Sequence, residues 1–326
     1  MDFLKAASFP WLADPIARIR AAAAGGRLPH SLLILSAPGL GAPQLAAWTI
    51  AFALCERTEA RPCGQCAACR LLEADTHPDA HVVRLDEDAR QIKVEQVREL
   101  IETLTRKSFR GGYKIGLIEG AEALNANGAN AFLKTLEEPT ADTLLILTAA
   151  RSHRLPSTVA SRCLRLAIRP PDPAAARAWL GARAPRVPSW DAALALAGGA
   201  PLLAEDLQRN GLAELDAEMR TSVRELAAGS VDVTLLAERW TRSDPLVRLA
   251  WLENWITRRV LAGLGGEVSA QTAEPVRLPA ALLKPKIRAL YGLLDGVREF
   301  RRLASTNMNQ QLALEALLLR SRSVLS

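Results

Sequence analysis

Residues Leu32-Leu33-Ile34-Leu35 form a short apolar run that enters the turn Ser36-Ala37-Pro38-Gly39-Leu40-Gly41. A helix-patterned segment, Gln44 to Leu54, leaves that turn. This strand–loop–helix succession is the layout of a phosphate-binding loop, in which backbone N–H groups at a helix start cradle an anion. The pattern G-x-x-x-x-G-K-[ST] is nevertheless broken at three places. Ser36 stands for the first glycine, Ala42 for the lysine that reaches the β- and γ-phosphates, and Pro43 for the hydroxyl that holds Mg²⁺. Pro43 also brings no N–H, although proline is tolerated in a first helical turn. The stretch has the scaffold of a nucleotide site without its working groups. On these residues alone a plain strand-to-helix turn accounts for it at least as well.

The helix after the turn places Trp48, Ala51, Phe52 and Cys55 at spacings of three and four, one face. It leads into Cys55-x7-Cys63-x2-Cys66-x2-Cys69. Two-residue gaps let neighbouring thiolates turn onto one ion, and Cys55 from the helix end completes a tetrahedron. Four thiolates close the shell, so a zinc held here is structural, with no position open to water. Reduced surface thiols or a redox pair are the bland alternative. The start Met1-Asp2-Phe3-Leu4-Lys5 lacks a basic region followed by an apolar block, so no signal peptide is expected and the location is read as cytoplasmic. In that compartment five cysteines point to metal or redox chemistry before disulfides.

Further short apolar runs follow at 80–85, 114–119, 143–148 and 163–168. An amphipathic helix through Val94, Val97, Leu100, Ile101 and Leu104 and a helix over 130–138 separate them. With a first strand over 28–36, alternating strands and helices predict a parallel α/β sheet covered on both faces. Glu119 ends the third strand, but Glu119-Gly120-Ala121-Glu122 lacks the adjacent acidic pair that holds Mg²⁺. His77, before Pro78, reads as a surface turn histidine in preference to a fifth ligand. The basic stretch 106–113 reads as a solvated loop, and Cys163 as the start of a buried strand.

From Arg169-Pro170-Pro171-Asp172-Pro173 onward the pattern is helical. Asp172 caps a helix that Pro173 opens; Ser189 caps another that stops at Gly198-Gly199. Asp244-Pro245 opens a helix carrying Leu249, Leu252, Trp255, Ile256 and Val260. A loop at 263–277, a helix at 279–303 and an apolar stripe at 312–319 complete the chain. At 326 residues, two or three domains are expected. No apolar run approaches a membrane span. The net charge of +6 permits contact with nucleic acid without demanding it, and no aromatic–basic interleaving suggests a single-strand platform.

Thr76-His77-Pro78-Asp79, Leu133-Lys134-Thr135-Leu136-Glu137-Glu138-Pro139 and Ser161-Arg162-Cys163 occur in this order after the four-cysteine insert. Together they resemble the clamp-loader branch of the AAA+ proteins, strongly over the first 170 residues. The resemblance is weaker to the C-terminus, where Asn307-Met308-Asn309-Gln310-Gln311-Leu312-Ala313-Leu314-Glu315 looks like the family's last collar helix. It implies an α/β AAA+ core with a zinc-bearing insert over 1–168, an all-α lid over 169–210 and an all-α collar over 211–326. Ala42 and Pro43 place the chain with the family's non-hydrolysing subunits, which bind no ATP. Leu202 agrees, standing where ATP-using relatives carry an arginine. Arg162 is then an arginine finger, acting in trans on a neighbour's ATP. The implied partners are the gamma/tau and delta subunits, with the sliding clamp and primed DNA reached through the complex. No catalysis is expected from the chain alone. Two rivals remain: a gamma/tau-type ATPase, and a stand-alone zinc module binding DNA through basic residues such as Arg61 and Arg70.

Overall fold

The apolar runs of the first half become five parallel strands in a computed structural model that describes residues 3–25, 28–86, 89, 91–150, 155–243, 245–263, 285–304 and 308–325. The chain divides into two compact units, Met1–Pro171 and Asp172–Ser326. In the first, α1 (Ala13–Ala24) precedes β1 (Ser31–Ser36), α2 (Ala42–Leu54), α3 (Ala67–Glu73), β2 (Ala80–Val83) and α4 (Val94–Thr105). Then come β3 (Lys114–Ile118), α5 (Ala126–Glu137), β4 (Thr143–Ala149), α6 (Ser157–Ala160) and β5 (Leu164–Ile168).

The strand order is β2-β3-β4-β1-β5, and each neighbouring pair is parallel. Parallel strands need crossover connections, whose helices cover the sheet, so central strands are buried on both faces. Every residue of β3 and of β4 is buried. Leu33 in β1 opposes Leu147 on one side and Arg165 on the other. Chain progression thus reverses about β1, and the loop leaving its carboxyl end lies where open parallel sheets bind ligands.

Helix packing follows from composition. Residues Leu45 to Phe52 of α2 are all buried, so this helix is enclosed on every side and not on the one face its spacing predicts. On α4, Val97, Leu100 and Leu104 face the core. A Cβ at Gly116 would lie 2.9 Å from Leu104 Cδ1, so the absence of a side chain in β3 lets α4 approach. Lys114 is buried, with Nζ donating to Leu104 O at 2.7 Å, Arg106 O at 3.0 Å and Thr140 Oγ1 at 2.8 Å. A cation there satisfies carbonyls that the end of α4 leaves unpaired.

Several boundaries differ from expectation. β1 starts at Ser31 and not at Leu28, because Pro29 has no N–H for a ladder. α5 starts at Ala126, four residues before Asn130, because Asn125 caps it by accepting from Gly128 N at 2.7 Å. β5 begins at Leu164, one residue after Cys163.

The second unit is entirely helical among the described residues: α7 (Pro173–Arg183), α8 (Asp191–Leu196), α9 (Pro201–Arg209), α10 (Leu212–Ala228), α11 (Val233–Arg242), α12 (Pro245–Gly263), α13 (Pro285–Leu303) and α14 (Gln310–Leu325). Asp172 Oδ1 accepts from Ala174 N at 2.8 Å, and Pro173 occupies the first turn, as predicted. Ser189 lies one residue too early to be the cap of α8, whose N-cap is Trp190; its hydroxyl instead accepts from Asp191 N at 3.2 Å. Trp240, Leu252, Leu293, Leu314 and Leu318 belong to one buried cluster. The expected loop after Gly263 and the expected helix over 279–284 lie outside the described residues. No described helix is long and apolar enough to cross a membrane. A parallel α/β core followed in the chain by helices is consistent with the AAA+-like fold that the resemblance implies.

Candidate functional site

The loop after β1 keeps the backbone form of a phosphate cradle. Gly39 and Gly41 have φ of +79° and +89°, a region other residues enter at a cost, and Gly41 is the N-cap of α2. The side chains do not serve an anion. Ser36 Oγ donates to Ala37 O at 2.8 Å, Ala42 is apolar, and Pro43 removes one N–H from the helix start. The N-terminal segment lies against the loop. Trp11 Nε1 donates to Leu40 O at 2.8 Å, and Phe9 stacks on Trp11 with ring centroids 5.2 Å apart. A Cβ on Gly41 would sit 3.3 Å from both Leu12 Cδ1 and Phe9 Cδ2. Leu40 is 0 % exposed. Phe9, Trp11 and Leu12 had no sequence signal linking them to this turn beyond their apolar character.

The acid that ends β3 is also committed elsewhere. Arg84 Nε donates to Glu119 Oε2 at 2.8 Å and Nη2 to Oε1 at 3.4 Å. Leu202 lies half-buried in the first turn of α9.

The four cysteines come together as their spacing predicts. Cys55 terminates α2, Cys66 is the N-cap of α3, and Cys63 and Cys69 close the group. All four sulfurs lie within 4.8 Å of one another; Cys55–Cys66 and Cys63–Cys69 are each 4.0 Å apart. Sulfurs placed about 2.3 Å from a tetrahedral ion would be roughly 3.8 Å apart, so the donor set fits a soft four-coordinate metal. Backbone N–H groups of Cys63, Cys66 and Cys69 donate to the sulfurs of Cys55, Cys63 and Cys66 at 3.3–3.4 Å. N–H groups of Gln65 and Cys66 on Cys63 Sγ bring that thiol down to about 6, whereas burial raises Cys69 and Cys55. Cys163 is outside the group: burial pushes its thiol up to about 11, and its Sγ donates to Val159 O at 3.4 Å.

His77 departs from its surface reading. It is only 6 % exposed, with Nδ1 accepting from Asp79 N at 3.1 Å. Asp79 accepts from Phe109 N at 2.6 Å and from Arg110 N at 3.0 Å, tying the turn to the loop before β3. Arg110 reaches on to Glu56 at 2.6 Å, beside the first cysteine. The motif is therefore a buried tie between the turn and the loop before β3, which an exposed Arg110–Glu56 pair extends to the cysteine insert across more than fifty residues. Among the described residues, His77 is not in the cysteine cluster.

Arg162 follows α6 at the entry to β5. Its Nε donates to Glu137 Oε1 at 2.6 Å and Nη1 to Thr158 O at 2.9 Å. Ser31 Oγ fixes the backbone by donating to Arg162 O at 2.7 Å. The second and third sequence motifs thus meet through one ion pair, whose side chains are 35 % and 48 % exposed.

The family described as DNA polymerase III, delta subunit, matches residues 12–172. The chain is 35 % identical over 310 residues to DNA polymerase III subunit delta' of Pseudomonas aeruginosa, spanning 92 % of this chain and 94 % of that protein. With subunit delta' of Escherichia coli (strain K12) the identity is 30 % over 323 residues, 96 % and 94 % of the two chains. The tau subunit of Escherichia coli (strain K12) is 34 % identical over 141 residues, 43 % of this chain and 22 % of tau.

Proposed function

This chain belongs to the DNA polymerase III delta' family, and from that we propose that it is a non-hydrolysing clamp-loader subunit lending Arg162 to a neighbour's ATP. The observation that carries the reading is the loop after β1. It has lost both the lysine and the Mg²⁺ hydroxyl, and Phe9, Trp11 and Leu12 pack on it. Without those groups the γ-phosphate charge goes unneutralised, which removes the main source of catalysis in phosphoryl transfer. Titration of the purified full chain with Mg-ATP is expected to give no saturable binding. Saturable binding with hydrolysis would favour the gamma/tau-type alternative.

Arg162 supplies what the loop lacks, but for another subunit. A guanidinium is planar and permanently charged, matching the oxygens of a γ-phosphoryl group in transit. An arginine given across an interface is worth roughly 10³–10⁵ in rate in NTPases that use one. In the free chain Glu137 and Thr158 O hold the side chain in a defined pose at the surface. Glu137 is then a positioning residue that keeps Arg162 extended until a phosphate competes for it.

Zinc is the metal proposed for Cys55, Cys63, Cys66 and Cys69. When bound, it supplies a cross-link with no open coordination position. The four thiolates and their N–H donors would hold the insert between α2 and α3, which has little apolar core of its own. The helices over 169–210 and 211–326 are assigned to lid and collar roles, the collar joining gamma/tau and delta subunits in the cytoplasm. The sliding clamp and primed DNA are reached through that assembly. The zinc-module rival, direct DNA binding, ranks below the clamp-loader reading because only a few cations, such as Arg61 and Arg70, lie beside the cysteines.

A further inference from the structure

The helical unit carries a cationic cavity that the clamp-loader reading does not use. Its volume is about 250 Å³. One face of α10 contributes Arg220, Val223, Arg224 and Ala227, at spacings of three, four and seven. From α12 come Trp255 and Arg259, one turn apart, and Leu325 of α14 completes the lining.

The charges of this cavity do not cancel. Arg220 Nε donates to Asp216 Oδ2 at 2.6 Å, and the same carboxylate accepts from Trp251 Nε1 at 2.9 Å. Arg224 and Arg259 are exposed and have no ion-pair partner among the described residues. The Arg259 guanidinium lies over the Trp255 ring, 4.2 Å from its centroid. Stacking holds the fork flat and leaves its N–H edge for an acceptor. Beneath these heads the lining is apolar: Val223 is buried, while Ala227, Trp255 and Leu325 are half-buried.

The geometry points to a binding site for an acidic peptide segment of a partner protein, one that presents an apolar side chain beside carboxylates. The two uncompensated guanidinia take the carboxylates, and the floor between helices takes the apolar group. Charge complementarity with a desolvated apolar anchor is the usual makeup of such contacts. The cavity is smaller than the roughly 300–1,000 Å³ of small-molecule sites, and suits a side chain or two. A free inorganic anion would leave the apolar floor unused. Nucleic acid needs a track of cations along a backbone and free aromatic faces for bases. Here the cations are clustered, and Arg259 already covers the Trp255 face.

The test stands apart from the assembly role and uses the full chain alone. A capped, dye-labelled hexapeptide of aspartates around one phenylalanine is titrated while anisotropy is read. Saturable binding is expected, weakened about tenfold or more when the phenylalanine is replaced by serine, and likewise by Arg224→Gln with Arg259→Gln. Unfolding midpoints should move only slightly, since both guanidinia are exposed without ion-pair partners and the exposed Arg259–Trp255 stack contributes little. Arg259→Lys, which keeps the charge but not the fork, should weaken binding less than Arg259→Gln does. Absence of saturable binding would overturn the inference. So would indifference to the double substitution, or equal competition by an oligodeoxynucleotide of matching charge.

Discussion

Gly41 is the residue on which the loop after β1 turns. Its φ of +89° and the 3.3 Å approach to Phe9 and Leu12 leave no comfortable place for a methyl group. Gly41→Ala is expected to destabilise the chain by about 1–2 kcal/mol in urea unfolding. Trp11→Phe keeps the ring but strips the donor from Leu40 O, and about 1–2 kcal/mol is expected there too if that carbonyl stays dry. Arg162 behaves differently. Its ion pair with Glu137 is half-exposed and screened, so Arg162→Ala and Glu137→Gln should each shift stability by less than about 1 kcal/mol. That near-silence in folding lets an effect on the assembled loader be read as loss of the trans role. Glu137→Gln should give a milder loss than Arg162→Ala, since it misplaces the guanidinium without removing it.

At the scale of elements, the cysteine insert and the His77 fastening can be separated experimentally. Native mass spectrometry is expected to find one zinc per chain. A chelator should speed trypsin cleavage after Arg57 and Arg70 while the buried strands β3 and β4 stay protected, because the metal stabilises the insert locally. Cleavage at those two sites at the same rate with and without the chelator would contradict a metal-stabilised insert. His77 carries a pH signature. Burial lowers its pKa from the ordinary value, and His81 is lowered for the same reason. Asp79 and Glu56 oppose the His77 shift, while Arg110 adds to it. The unfolded chain takes up its proton near 6.5, before the folded chain does. Stability is therefore fully present above that value and falls as pH drops through the folded pKa. Melting midpoints followed from roughly pH 7 to 5.5 should decline, and His77→Gln should flatten the decline. The strands and the cysteine cluster were legible because each leaves a local mark, a continuous apolar run or a fixed thiol spacing. The cover of Phe9 and Trp11 over the loop joins residues 29 positions apart, and Asp79 meets Phe109 across 30. Neither contact has a period or spacing to read, so both needed the fold. His77 looked like a surface residue because its turn chemistry is local and its burial is not.

On the proposed function, the whole molecule is a member of an ATP-driven ring that works without burning ATP itself. Its loop is stripped and covered, its arginine is presented outward, and its helical unit carries a pocket suited to an acidic partner. The direct test is clamp- and primer-stimulated ATP hydrolysis by a reconstituted loader containing this chain, against the Arg162→Ala variant and against a mixture lacking the chain. Assembly is checked by sizing. With assembly intact, hydrolysis and clamp loading should fall well below wild type when Arg162 is lost, by about 10³-fold at the neighbouring site if the arginine acts as a full finger. Unchanged rates in a normally assembled Arg162→Ala loader would contradict the trans role and leave the chain an architectural subunit.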